Sequence, residues 1–344
     1  MNKLPFISII IPVYGVEPNI EDCIRSVMAQ DYQGPIECIL VDDCGLDRSM
    51  EIAREVINAN SSSVQFRIVR HEQNRGLSAA RNTGMREAQG DYCYMLDSDD
   101  EITPDCISLL ATPLLNRPYD MVIGEFAVLG AEDKYPHLHW EEGARLGHEE
   151  ICLGYYYRRW FQMSVSKLYS LDFLRKHNQI FLEGVIHEDE LWSAELACIL
   201  ESVYVVKKPT YLYKIRSGSI TTANNYLKRK AAFHKMIPSF VEFAINNCLF
   251  SDSYSLAILD KFAMMFFGVT QLENPSECKQ CYLAIRSFFD IHSKWLCVRQ
   301  KGAFRKFRCF HYCFPPVMGY YVKRFLDWLL KLKAGLSSLF PPLL

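Results

Sequence analysis

A mostly parallel α/β sheet flanked by helices, followed by a helical C-terminal extension, is the architecture this sequence predicts. Three observations carry the prediction. Short apolar runs alternate four times with amphipathic helical segments between residues 6 and 96, the pattern of a doubly wound sheet. The first run, Phe6 to Ile11, is dominated by isoleucine, as expected of a strand buried on both faces. The polar residues of note all follow strand ends, and in an open α/β sheet those ends share one edge.

The elements follow in order. Phe6–Ile11 is the first strand, with Pro12 placed to stop its ladder. Residues 17–30 read as a helix with Ile20, Ile24, Val27 and Met28 on one face. Ile36–Val41 is a second strand ending in Asp42-Asp43, and residues 46–59 a helix with Ile52, Val56 and Ala59 inward. Val64–Val69 is the third strand, residues 76–88 the third helix and Tyr92–Leu96 the fourth strand. Tyr14, Asp43, Arg75 and the run Asp97-Ser98-Asp99-Asp100 then lie on four loops that converge. Three carboxylates in four residues repel one another unless something positive neutralises them. Two readings stand for the run at this point, a divalent-cation site and a solvated turn capping the helix that starts near Pro104.

Beyond Tyr119 the alternation fades. Asp120–Phe126 reads as a strand, and residues 131–150 are polar, with His137 and His139 alternating as on a surface hairpin. A second acidic group, His187-Glu188-Asp189-Glu190, runs into a helix. Neighbours on a helix diverge by about 100°, so only one of its three carboxylates is expected to enter a site. Val203–Val206 and Tyr211–Arg216 read as two further strands, and the pattern turns helical from residue 223.

Composition narrows the function classes. The chain has 344 residues, 49% of them apolar, and a formal net charge of −2, so it can bury a large core and nucleic acid is not expected as a partner. No apolar stretch is long enough to cross a bilayer, and Met1–Phe6 lacks the layout of a signal peptide. Thirteen cysteines scattered through apolar segments suit a reducing, cytoplasmic setting. Cys278, Cys281, Cys309 and Cys313 could together hold a structural zinc. Against this, the pairs are far apart and the first lies in a helix-like segment. The tail from Lys294 carries ten Lys and Arg against one acid, Asp327. On a helix through residues 318–333, Met318, Val322, Phe325, Leu329 and Leu332 share one face, with Arg324, Asp327 and Lys331 opposite. That fits a helix lying peripherally on the cytoplasmic face of a membrane, and equally one packed on its own domain or on a homodimer partner.

The motifs Ile9–Tyr14, Val41-Asp42-Asp43, Asn74–Asn82, Gly90-Asp91-Tyr92, Asp97–Asp100, Glu188-Asp189 and Tyr213–Ile220 occur in an order and spacing that resembles the family 2 glycosyltransferases. These are inverting, nucleotide-sugar-dependent enzymes with a GT-A (Rossmann-like) fold. The resemblance covers residues 6 to about 222. It implies a nucleotide-sugar-binding α/β subdomain over residues 1–120, an acceptor-binding subdomain over 121–222, and an extension, 223–344, that it does not reach.

The resemblance also implies roles. Pro12, Val13 and Tyr14 would form the floor of a base pocket, Tyr14 stacking on a uracil, and Asp43 would accept its imide N–H. Arg75 and Arg81 would hold a base edge or phosphate. Asp97, Ser98 and Asp99 match the family's DxD motif: Asp97 would reach ribose or metal, and Asp99 would ligate Mg²⁺ or Mn²⁺ on the diphosphate, with Asp100 as a further ligand or a group that supports the ligands from behind. Asp189 would be the general base toward the hydroxyl of a glycan or lipid-linked glycan. Tyr213 and Arg216 would belong to the loop that closes over the diphosphate, and Lys167, Tyr169 and Trp192 would line the acceptor site. The expected reaction moves a hexose or N-acetylhexosamine, from a UDP-sugar before other donors. Nucleotidyl transfer is disfavoured because Pro12–Val16 is not a Gly-rich phosphate loop. A non-catalytic nucleotide-sugar scaffold is disfavoured by the intact Asp97, Asp99 and Asp189.

Overall fold

Seven buried residues, Ile7–Val13, form β1, and the sheet is arranged around it. The computed structural model describes residues 3–129, 137–215, 226–288 and 303–339. The chain divides into two units, Met1–Lys228 and Arg229–Leu344.

In the first unit β2 (Ile36–Asp42) and β4 (Tyr92–Met95) flank β1 in parallel, and β3 (Gln65–Arg70) runs parallel outside β2. The connecting helices are α1 (Ile20–Met28), α2 (Ser49–Ala59) and α3 (Leu77–Glu87). β5 (Glu101–Ile102), α4 (Cys106–Ala111), β6 (Met121–Leu129), β7 (Gly143–Leu146) and α5 (His148–Tyr156) come next. β8 (Lys167–Ser170), α6 (Leu171–Lys176), α7 (Glu188–Ala197) and β9 (Ser202–Lys214) complete the unit. The strand order is β3-β2-β1-β4-β8-β6-β9-β5, with β7 on β9. β8 is antiparallel to both neighbours, β5 and β7 are antiparallel to β9, and β6 is parallel to β9. The chain leaves β1 toward β3 and returns to set β4 on its other side. The crevice past the carboxyl ends of β1 and β4 is thus a topological switch point, where open α/β sheets take ligands.

Local departures from the sequence reading have physical causes. Pro12 lies inside β1, opposite Val41. The β1–β4 ladder has ended two residues earlier, at Ile10 with Met95, so the missing N–H leaves no gap there. The two strands expected over Val203–Arg216 are one, β9, whose register against β6 shifts around Glu125. Pro209 falls at that irregularity, where a ladder tolerates proline. His137 and His139 are not on a strand. His137 stacks on Phe126 at 5.2 Å and pairs with Glu125 at 3.1 Å.

Two contacts bring α3 and α7 to the crevice. A Cβ on Gly84 would come within 2.3 Å of Ile10 Cγ2, so only glycine lets α3 lie this close to β1. Asn82 Nδ2 donates to the Phe181 carbonyl, and its Oδ1 accepts the Phe181 N–H, both at 2.8 Å. Phe181 in turn stacks on Trp192 of α7 at 4.0 Å. Farther along α7, buried Glu195 accepts a 2.8 Å hydrogen bond from Gln179. Burial pushes its carboxyl up to about 8, against the lowering effect of that bond. The folded state therefore keeps a proton that the unfolded chain releases near pH 4.5. This stabilisation is complete below that pH and is lost as pH rises to about 8. Denaturant melts from about pH 5 to about pH 8 should show wild type losing stability relative to Glu195→Gln. Parallel pH profiles of the two proteins would contradict it.

The second unit is helical among the described residues. α8 (Tyr226–Asn246) and α9 (Ser253–Glu273) meet through Phe233, Phe240, Phe262 and Phe266. α10 (Cys278–Phe288), α11 (Ala303–Cys309) and α12 (Pro316–Leu339) follow. Among the described residues, no three His, Cys, Asp or Glu side chains are grouped to hold a metal, and no helix is long and apolar enough to cross a membrane.

Candidate active site

At the switch point an open cavity of about 460 Å³ gathers side chains from six elements or their ends. Pro12, Val13 and Tyr14 come from the end of β1, Asp43 from that of β2, and Ala80 and Arg81 from α3. Asp97, Ser98, Asp99 and Asp100 follow β4, Glu188 and Asp189 open α7, and Tyr213 lies near the end of β9. Arg75 does not line the cavity. It pairs with Glu183 at 3.1 Å, each side chain partly exposed, a contact that costs little to break. Arg216 lies outside the described residues.

Arg81 is the hub. Its buried guanidinium donates from Nη1 to Glu188 at 2.7 Å and Asp189 at 3.1 Å, and from Nη2 to Asp97 at 2.8 Å. The Phe181 ring lies 5.1 Å from its Cζ. Burial works against the charge, but Asp97, Asp189 and Glu188 outweigh it and hold the group firmly protonated. Both Nη nitrogens thus engage carboxylates, an organising role beyond the contact with a base or phosphate expected of Arg81, which lines the cavity. Glu188 and Asp189 both reach the cavity, against the expectation that only one could. The planar guanidinium takes both at one nitrogen, at the first turn of α7, so the divergence along the helix does not separate them. Burial, and then the Asp189 charge, push the Glu188 carboxyl up from the usual range.

Asp43 closes the start of α3. Its Oδ1 accepts the Arg75 N–H at 2.8 Å and faces His71 Nδ1 at 2.6 Å, and its Oδ2 accepts the Gly76 N–H at 2.8 Å. Three of about four lone-pair sites are taken, which leaves about one for a ligand donor. Sequence patterning does not single out His71. Its only signal is its place just after β3, on the edge where the other polar residues lie. Its Nε2 is 2.9 Å from Thr83 Oγ1, so with Nδ1–H toward Asp43 the ring accepts from that hydroxyl.

Of the two roles expected of Asp100, its contacts fit the supporting one. It is buried, its Oδ2 accepts from the Tyr211 hydroxyl at 2.6 Å and its Oδ1 from the Lys214 N–H at 2.8 Å. Burial, then the Asp99 and Asp97 charges, push it up to about 8. With both oxygens engaged by β9, it ties the acidic turn to the sheet. Lys167, Tyr169 and Trp192 are core residues and do not line the cavity. β8 lies between β4 and β6, so its side chains pack within the sheet's layers. There the Lys167 ammonium sits 4.2 Å from the Phe161 ring centre and donates to the Met163 carbonyl, and burial pushes it down to about 7.

Six carboxylates (Asp43, Asp97, Asp99, Asp100, Glu188, Asp189) and one arginine line this cavity. A cation would offset the repulsion between a diphosphate and these acids, of which Asp100 and Glu188 are pushed toward protonation. Asp97 and Asp99 offer hard oxygen donors there, and two carboxylates completed by phosphate oxygens and water are a normal Mg²⁺ or Mn²⁺ set. The residues present fit such an ion.

Comparison with known proteins agrees with this arrangement. The family model described as Glycosyl transferase family 2 matches residues 8–183. Glycosyltransferase GlyA of Streptococcus pneumoniae is 30% identical over 226 residues, which is 62% of this chain and 31% of GlyA. The uncharacterized glycosyltransferase EpsJ of Bacillus subtilis is 29% identical over 231 residues, 63% of each chain. The chain therefore spans less than two thirds of these relatives' lengths. S. aureus TarS, solved in complex with UDP-GlcNAc, superposes with a TM-score of 0.73 at 18% identity, covering 95% of this chain and 92% of that one. At that identity the likeness shows the fold, and the fold is GT-A.

Proposed function

The chain belongs to glycosyl transferase family 2, and from that premise we propose that it moves a hexose or N-acetylhexosamine, with inversion, from a UDP-sugar to a hydroxyl of a growing glycan. One observation carries the reading: a single cavity at the switch point is walled by Tyr14, Asp97, Asp99 and Asp189. Tyr14 is 54% exposed, so its ring is available to stack on a base. The remaining acceptor site of Asp43 suits an imide N–H, which uracil has and cytosine lacks. UDP-GlcNAc in the structurally similar TarS supports a uridine donor.

Asp97 and Asp99 would hold a divalent ion, which neutralises charge on the departing diphosphate. Inversion by single displacement needs one base, on the face opposite the leaving group. Asp189 takes that role. Its side chain is about a quarter exposed, 27% against 9% for neighbouring Glu188, so it is the one an acceptor hydroxyl can reach.

Thermal shift tests the donor half. UDP with Mn²⁺ should stabilise the protein by about 2.7 kcal/mol at a hundredfold excess over Kd, and UDP alone by clearly less. Asp99→Ala should lose the metal-dependent increment. An equal shift with and without metal would overturn the metal assignment, and no shift with any nucleoside diphosphate would overturn the donor site.

A further inference from the structure

The terminal helix α12 is packed by the side its amphipathic pattern would expose. Tyr320, Lys323 and Leu326 are buried, and Lys323 is paired with Asp327. A Cβ on Gly319 would come within 2.7 Å of the His311 carbonyl, so that side of the helix lies directly on the chain. Val317, Met318, Tyr321, Phe325 and Trp328 are left outside, each 50–58% exposed. At 100° per residue these five fall within about a third of the helix circumference. Phe325 and Trp328 stack at 5.8 Å, and Phe325, with Phe310 and Phe307, lines an open groove of about 720 Å³.

Cations border this apolar face. Lys279 lies 5.8 Å from the Tyr321 ring centre, Lys306 lines the groove, and exposed Arg324 flanks Tyr321 and Trp328 on the helix. Asp327, the one acid among residues 294–344, is engaged by Lys323.

We propose that this face of α12 docks on an anionic lipid bilayer, with the aromatic side chains at the headgroup level and Lys279, Lys306 and Arg324 toward lipid phosphates. Tyr and Trp suit that depth because their rings are amphipathic, and nearby Lys or Arg adds electrostatic attraction. A second copy of the chain is the poorer occupant. A two-fold interface on this patch would bring the same cations toward one another.

The test is sedimentation of the full chain with vesicles of phosphatidylcholine mixed with phosphatidylglycerol, against phosphatidylcholine alone. Wild type should partition onto the mixed vesicles at least about tenfold better, and added salt should weaken the binding. Phe325→Ala with Trp328→Ala, and separately Lys306→Glu with Arg324→Glu, should each cut partitioning about tenfold. Both pairs change exposed side chains, so melting temperatures should stay near wild type. Equal binding to the two vesicle types, or variants that bind like wild type, would overturn the proposal. So would a vesicle-free dimer that the aromatic pair converts to monomer, since that assigns the face to a second copy.

Discussion

Asp189→Asn lowers sugar transfer by about 10²–10⁴-fold, the usual contribution of a positioned general base, and leaves nucleotide binding intact. The separation of effects follows from the geometry. Asparagine keeps the shape of the side chain and an oxygen that can accept from Arg81 Nη1, now 3.1 Å from Asp189 Oδ1. It loses the negative charge and, with it, the ability to take the proton that the proposed mechanism assigns to Asp189. The Mn²⁺-dependent thermal shift with UDP should therefore survive while turnover collapses. Glu188→Gln is the matched control, because Glu188 shares the same arginine nitrogen at 2.7 Å. It should cost far less, since the Glu188 side chain is nearly buried and Asp189 is the more exposed of the two. A nearly normal Asp189→Asn enzyme beside a dead Glu188→Gln enzyme would move the base to Glu188.

Much of this site is legible in the sequence because its pieces sit where periodicity and strand ends place them. The isoleucines of β1 predict a central strand, and Tyr14, Asp43 and Asp97–Asp100 follow from where strands stop. What sequence could not supply is which donors meet which acceptors across the chain. Arg81 reads as a ligand-binding cation, and only the structure shows that its partners, 16 to 108 residues away, are acids. Asp100 reads as either a third metal ligand or a supporting group, and only the structure shows β9 engaging both its oxygens. The same limit explains α12. Its period shows that it is amphipathic, but the packed side is decided by Gly319 and by the Lys323–Asp327 pair, which neutralises charge that the packing takes out of solvent.

The largest stability effect is expected at Arg81. Replacement by methionine, which fills similar space without charge, leaves Asp97, Glu188 and Asp189 facing one another around a site with no cation. Breaking a buried pair by removing one partner typically costs about 3–5 kcal/mol. Here Asp97 and Asp189 are about a third exposed, and water takes up some of their charge, so the low end, about 3 kcal/mol, applies. For a unit of this size that is a fall of about 10 °C in Tm. Arg81→Lys should recover only a fraction of it, because one ammonium cannot present two forked nitrogens to three carboxylates. The pH dependence identifies the cause. Without the guanidinium, Glu188 is pushed further up by Asp189, so the folded variant binds a proton that the unfolded chain has released. Its stability then rises as pH falls toward the ordinary glutamate value, and its deficit against wild type should narrow from about pH 8 to about pH 5. Lost packing alone would leave the deficit independent of pH. A second measurement closes the argument: in a Glu188→Gln background, Arg81→Met should cost about 1–3 kcal/mol less than in wild type. Additive costs would mean that Arg81 acts through its packing on Phe181 and not through the acids it joins.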